Sequence, residues 1–184
     1  MTAGQPAKVL LVDDRKENLI ALEAILQGLP VETVGVTTGE DALKRLLLDN
    51  FAAILLDANM PGMDGYETAG HIKQRERTRN IPIIFLTAEG YDARLAFRGY
   101  QAGAVDYITK PFDPWVLRSK VEVFVDMWSM NAQLAARVAD YQALRERLDH
   151  ALDLLGATPP DVEAAAAALR DAVSRMQVAR TVTG

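Results

Sequence analysis

Four short apolar runs in this chain end on residues suited to phosphoryl chemistry. Val9–Val12 leads into Asp13 and Asp14, Ala53–Leu56 into Asp57, Ile83–Leu86 into Thr87, and Tyr107–Thr109 into Lys110. Clustered carboxylates repel one another unless a cation is present, and an oxygen-rich pocket of this kind suits a hard divalent ion such as Mg²⁺. One carboxylate can act as a nucleophile toward a phosphoryl group, giving an aspartyl phosphate. A metal and an ammonium can share the charge on the phosphoryl oxygens. A nearby hydroxyl can then hydrogen-bond the phosphoryl group and so sense its arrival.

These residues converge only if the runs are neighbouring strands. Continuous apolar runs bounded by turn signals and separated by helical patterns read as buried parallel strands, and α/β sheets bind ligands at the carboxyl ends of such strands. The pattern predicts strands at Val9–Val12, Glu32–Val36, Ala53–Asp57, Pro82–Thr87 and Ala104–Thr109. The helix after the first strand turns Leu19, Leu22, Ala24, Ile25 and Leu26 inward and ends near Gly28 and Pro30. A second, opening at Gly39, buries Ala42, Leu43, Leu46 and Leu47; Tyr66–Arg75 and Asp92–Ala102 are the next two. The loop from Asn59 to Gly65 is dense in turn residues. Five βα units imply an α/β fold with a doubly wound parallel sheet and helices on both faces.

The last third differs. Asp113-Pro114 suits a helix start, and no breaker follows until Gly156, so the helix runs about 60 Å at 1.5 Å per residue. Val116, Leu117, Val121, Phe124 and Val125 are expected on the sheet. Met127, Asn131, Leu134, Val138, Tyr141, Arg145, Leu148, Leu152 and Leu155 then follow a heptad stripe, in which a polar member such as Asn131 fixes register and partner number. Thr158 is expected to cap a further helix with Asp161 in its first turn and a stripe of Val162, Ala166, Leu169, Val173 and Met176. The alanines at 164–168 permit close helix approach. The simplest reading is a helical hairpin, dimerising as a four-helix bundle or coiled coil.

The chain has 184 residues, a net charge of -5 and no cysteine. The pI near 5.1 argues against nucleic acid as a direct ligand. No apolar stretch approaches a membrane span, and Met1–Ala7 carries no signal-peptide core. A cytoplasmic location follows as an expectation. His71 and His150 read as exposed helix residues, and no P-loop spacing occurs.

The segments Val12-Asp13-Asp14, Leu55 to Gly65, Leu86-Thr87-Ala88 and Asp106 to Phe112 resemble the receiver domain of two-component response regulators, over roughly residues 7 to 125. The resemblance implies a flavodoxin-like (βα)5 sheet of strand order 2-1-3-4-5 and a domain at 1–125, with the helical extension at 126–184. It also implies that Asp57 is the phosphoacceptor. Asp13 and Asp14, with Asp57 and the Asn59 carbonyl, would hold Mg²⁺. Lys110 would contact the phosphoryl group, Thr87 and Tyr107 would switch, and the Lys110–Pro111 bond would be cis. A histidine kinase or histidine phosphotransfer protein would be the donor. The output face implied is the helix 92–102, the strand 104–109 and the start of the helix from 114.

No winged-helix, helix-turn-helix or cyclase domain is expected within residues 114–184. The chain is therefore either a regulator with a helical output and an unknown protein target, or a regulatory fragment of a larger cyclase, phosphatase or kinase. An adaptor independent of phosphorylation is the remaining alternative. The chain itself is expected not to be an enzyme beyond its own phosphoryl transfer and hydrolysis. Haloacid-dehalogenase-like phosphatases also use a strand-end aspartate, but place a second acid two residues on, where this chain has Asn59.

Overall fold

The computed structural model describes residues 6–87, 106–156 and 161–181. Their order is β1 (Ala7–Val12), α1 (Lys16–Leu26), β2 (Val31–Val36), α2 (Gly39–Leu48), β3 (Ala53–Asp57), α3 (Gly65–Gln74), β4 (Ile83–Thr87), β5 (Asp106–Thr109), α4 (Pro114–Gly156) and α5 (Val162–Thr181). All strands are parallel and lie in the order β2-β1-β3-β4-β5. This is the flavodoxin-like arrangement expected. The helix expected at 92–102 and the first residues of the strand at 104–109 lie outside the described residues.

Strand composition explains the layering. Every residue of β3 and β4 is buried, as befits central strands covered on both faces. Alternate side chains feed two cores. Leu11, Leu55, Ile84 and Ile108 pack with α1 and with Leu117, Val121 and Val125 of α4. Leu10, Ile54, Leu56 and Phe85 pack with α2 and α3. Thr38 caps α2 by accepting from the Asp41 N–H at 3.1 Å, and Asp64 caps α3 by accepting from the Glu67 N–H at 2.7 Å. Arg118 of α4 donates to the Gln27 carbonyl at 2.7 Å, supplying the cation that the last turn of α1 lacks.

Three expected core positions face water instead: Ala24, Leu47 and Val116. In α2 the inward face is set by Gly39, Ala42 and Leu46, and Leu47 lies about 100° further round. Val116 precedes buried Leu117 by the same step, and Ala24 falls between the α1 positions Leu22 and Leu26 that enter the core. Trp128, not expected there, packs against the first core.

The chain divides into two compact units within α4, between residues 130 and 131. In the second unit, α5 returns along α4. Arg147 pairs with Asp171 at 3.0 Å, and the Asp161 N–H donates to the Leu154 carbonyl at 3.1 Å. Asp161 is itself the cap, its carboxylate accepting from the Ala164 N–H at 2.9 Å, rather than a first-turn residue; Thr158 lies outside the described residues. The contact face is small: Ala151, Ala165 and Ala172 are buried, with Leu144 and Leu154 half-buried. The expected stripes are not that face. Met127, Asn131, Leu134, Val138, Tyr141, Leu148, Leu152 and Leu155 of α4, and Val162, Leu169 and Val173 of α5, are exposed.

Candidate functional site

Strand register assembles the site. Val12 lies level with Leu56, Asp57 with Leu86, and Thr87 with Thr109, so Asp13, Asp57, Thr87 and Lys110 all emerge at the carboxyl edge of four adjacent strands. Backbone bonds hold the edge: the Ala58 N–H donates to the Leu86 carbonyl at 2.9 Å and the Lys110 N–H to the Thr87 carbonyl at 2.7 Å. The Lys110–Pro111 bond is cis.

Asp13, Asp14 and Asp57 each bring a carboxylate oxygen within 4.8 Å of the others. Asp13 is fully buried and Asp57 is 6 % exposed, whereas Asp14 is open to solvent. The Lys110 ammonium lies 2.9 Å from Asp13 and 3.2 Å from Asp57. Three acids against one cation leave the cluster negative. Hard oxygens at this spacing, one of them reachable from solvent, fit an ion such as Mg²⁺. Burial pushes the Asp57 carboxyl up from its ordinary value, and the charge on Asp13 pushes the same way; Lys110 and the Asn59 N–H, which hydrogen-bonds this carboxylate, pull it down.

Asn18 escaped the sequence reading. Its amide donates to both Asp13 oxygens, at 2.8 and 3.0 Å, and the Arg15 N–H donates to the same carboxylate at 3.0 Å. The available signal was an amide side chain in the first turn of the helix that follows an acidic strand end. These donors give the buried Asp13 carboxylate the hydrogen bonds that burial requires.

The loop from Ala58 to Asp64 depends on Gly65. A Cβ there would lie 2.1 Å from the Asp57 carbonyl oxygen and 2.9 Å from the Ala58 Cα, and the Gly65 N–H donates to the Ala58 carbonyl at 3.1 Å. Only glycine lets α3 start this close to the Asp57 backbone.

Thr87 is buried at the end of β4. Tyr107 is half-buried and stacks on Phe85, centroids 5.4 Å apart, and Phe85 in turn meets Tyr66 at 4.8 Å. This chain of three rings was also not foreseen. Asp106, beside Tyr107, pairs with Lys120 of α4. His71 lies 3.9 Å from Glu67 on the exposed side of α3, and His150 is exposed on α4; neither joins the site.

Among the described residues no helix is long and apolar enough to cross a membrane.

Known proteins resemble this chain over the residues that build the sheet. The chain is 38 % identical over 116 residues to the response regulator PleD of Caulobacter vibrioides, an alignment spanning 62 % of this chain and 25 % of that protein. It is 36 % identical over 107 residues to the transcriptional regulatory protein SrrA of Staphylococcus aureus, spanning 58 % of this chain and 43 % of SrrA. The chain thus spans a quarter to under half of the length of these relatives. Among solved structures, the receiver domain of the sensor histidine kinase PA1611 from Pseudomonas aeruginosa superposes with a TM-score of 0.60 at 31 % identity. The match covers 66 % of this chain and 99 % of that domain, which holds a magnesium ion in its active-site cleft. The response regulator receiver domain family matches residues 9–122, well over half of the sequence. This chain therefore belongs to the receiver-domain family of two-component response regulators.

Proposed function

We propose that the chain is a phosphorylation-driven response regulator in which Asp57 accepts a phosphoryl group from a partner histidine kinase or histidine phosphotransfer protein. The observation that carries this reading is the Lys110 ammonium set between Asp13 and Asp57, one residue beyond the strand position level with Thr87.

Asp13, Asp14 and Asp57, together with the Asn59 carbonyl, are the oxygens that would hold Mg²⁺, which supplies charge neutralisation for the incoming phosphoryl oxygens. The remaining work belongs to the chain's own residues. An Asp57 oxygen attacks phosphorus as the P–N bond to the donor imidazole breaks, and Lys110 meets the charge on the transferred group. The reverse arm is hydrolysis by water, which returns Asp57 and inorganic phosphate. While the phosphoryl group is on Asp57, Thr87 offers its hydroxyl to a phosphoryl oxygen, and Tyr107, stacked on Phe85, follows that movement. The chain acts in the cytoplasm and is a switch rather than a turnover enzyme. It passes the signal to a protein target through the helical extension, residues 126–184, which joins two copies.

The relatives favour a second reading of the same switch. Because the chain spans a quarter of PleD and under half of SrrA, it also fits the regulatory segment of a longer signalling protein. A larger native product would select that reading.

The test is intact-mass spectrometry after incubation with acetyl phosphate. The expected result is one added phosphoryl group in the presence of Mg²⁺, and none after chelation or in Asp57→Asn. An unmodified wild-type chain, or equal labelling of Asp57→Asn, would overturn the proposal.

A further inference from the structure

The structure assigns a specific occupant to the open face of the helical hairpin: a second copy of the same hairpin, with α4 of each chain packed on α5 of the other in a two-fold four-helix bundle. This deepens the reading that the extension joins two copies, and rests on it.

Each helix of the hairpin carries two apolar faces. On α4 the closed face holds Leu144, Ala151 and Leu154, while Tyr141, Leu148, Leu152 and Leu155 stay exposed. At about 100° per residue the two sets lie roughly 80° apart. On α5 the closed face holds Ala165 and Ala172, and Val162, Leu169 and Val173 are exposed, roughly 70° round. An isolated helical pair needs one face per helix; a helix in a square bundle needs two, about a right angle apart.

The direction of the offset is as informative as its size. Viewed from the amino end of each helix, the open face lies clockwise of the closed one in both. Because α5 runs opposite to α4, equal turns bring both open faces to the same side of the hairpin. Register makes them level: the Arg147–Asp171 pair and the Leu154–Asp161 bond place Leu148 beside Leu169 and Leu155 beside Val162. The result is one continuous apolar surface drawn from two helices, where a coiled coil of α4 alone would need only one.

Extent and charge indicate the partner. The seven side chains are 39–69 % exposed and present roughly 600 Å² of apolar surface, at the upper end of the largest patch a monomer ordinarily leaves contiguous and about three quarters of the ~800 Å² per partner of a standard interface. A two-fold axis along the bundle makes such a surface complementary to itself, setting Leu148 of one copy against Leu169 of the other. The same axis brings Arg170 of one chain beside Asp149 of the other at the rim, where Asp149 already lies 3.8 Å from Arg145 of its own helix.

The chain contains no cysteine, so engineered thiols report the packing directly. Leu148→Cys and Leu169→Cys variants, each alone and mixed, are oxidised, and covalent dimers are read on non-reducing gels; light scattering gives the mass of the wild type, Leu148→Glu and Leu169→Glu, with helicity followed by circular dichroism. The expected result is a dimeric wild type, monomers of unchanged helicity from both glutamate variants, and a covalent dimer several-fold stronger in the mixture than in either single variant. A dimer lost in Leu148→Glu but kept in Leu169→Glu, or strong crosslinking of Leu148→Cys alone, overturns the bundle while leaving dimerisation through the extension intact. A monomeric wild type overturns both.

Discussion

The carboxyl edge of the sheet and the hairpin of α4 and α5 are built on opposite logics. At the edge, each position has one acceptable occupant. Asp13 is held by three donors, Gly65 touches the Asp57 backbone, and Lys110 reaches two acids at once. In the hairpin the side chains are interchangeable in kind, and position on the helix carries the meaning: alanines close one face while leucines and valines stay on another. The strand-end cluster is specified residue by residue; the helical faces are specified by phase.

That contrast can be broken first at Gly65. Gly65→Ala is expected to cost at least ~3 kcal/mol in urea unfolding, because the new methyl has to displace backbone. Gly70→Ala, on the same helix with nothing near its added carbon, should stabilise by about 0.5–1 kcal/mol. Equal effects would show that the loop around Asp57 is not rigid. Next, Asn18→Ala should cost ~1.5–3 kcal/mol without metal, the scale of hydrogen bonds to a charged group. Titration calorimetry should also show weaker Mg²⁺ binding, since Asp13 loses its alignment. In the hairpin, Ala165→Leu should cost about 1–2 kcal/mol by overpacking the closed seam, whereas Ala167→Leu, at an exposed position, should be nearly neutral.

The smallest effects concern pH. In metal-free buffer Asp57, raised by burial, holds its proton more tightly in the folded chain. Its ionisation therefore costs stability above the folded pKa, and that cost disappears as pH falls through it. Asp49 is lowered by its hydrogen bond from Lys8, so its contribution is present above the unfolded value and is lost as pH falls through the folded one. Relative to wild type, Asp57→Asn should gain stability most at neutral pH, and Asp49→Asn should lose most there. Thermal melts across pH 3 to 7 separate the two signs.

Legibility followed the same divide. Asp13, Asp57, Thr87 and Lys110 stood out in the sequence because each ends an apolar run, and strand order does the rest. Asn18 did not, because an asparagine in a first helical turn has an ordinary solvent-facing use. The Tyr66–Phe85–Tyr107 stack was invisible because its members meet only once three elements are side by side. In the extension the strongest apolar stripe marked the face left open, not the face the chain closes on itself. Alanine carries little hydrophobic signal, so a seam of Ala151, Ala165 and Ala172 reads as helix propensity. Leu47 and Val116 were placed inward for a related reason: composition reports that a residue is apolar, and one step along a helix decides whether it is buried.

The spacing of α4 bears on how such a chain can change in length. Leu134, Tyr141, Leu148 and Leu155 recur at seven-residue intervals, so a seven-residue duplication within α4 returns the open face to its direction with only about 20° of drift. A single inserted residue swings it by about 100° and separates it from its counterpart on α5. Divergent descendants should therefore differ in this helix by whole repeats, while the seven residues between Asp57 and Gly65 stay fixed in number. Length itself becomes a heritable quantity that comes in steps.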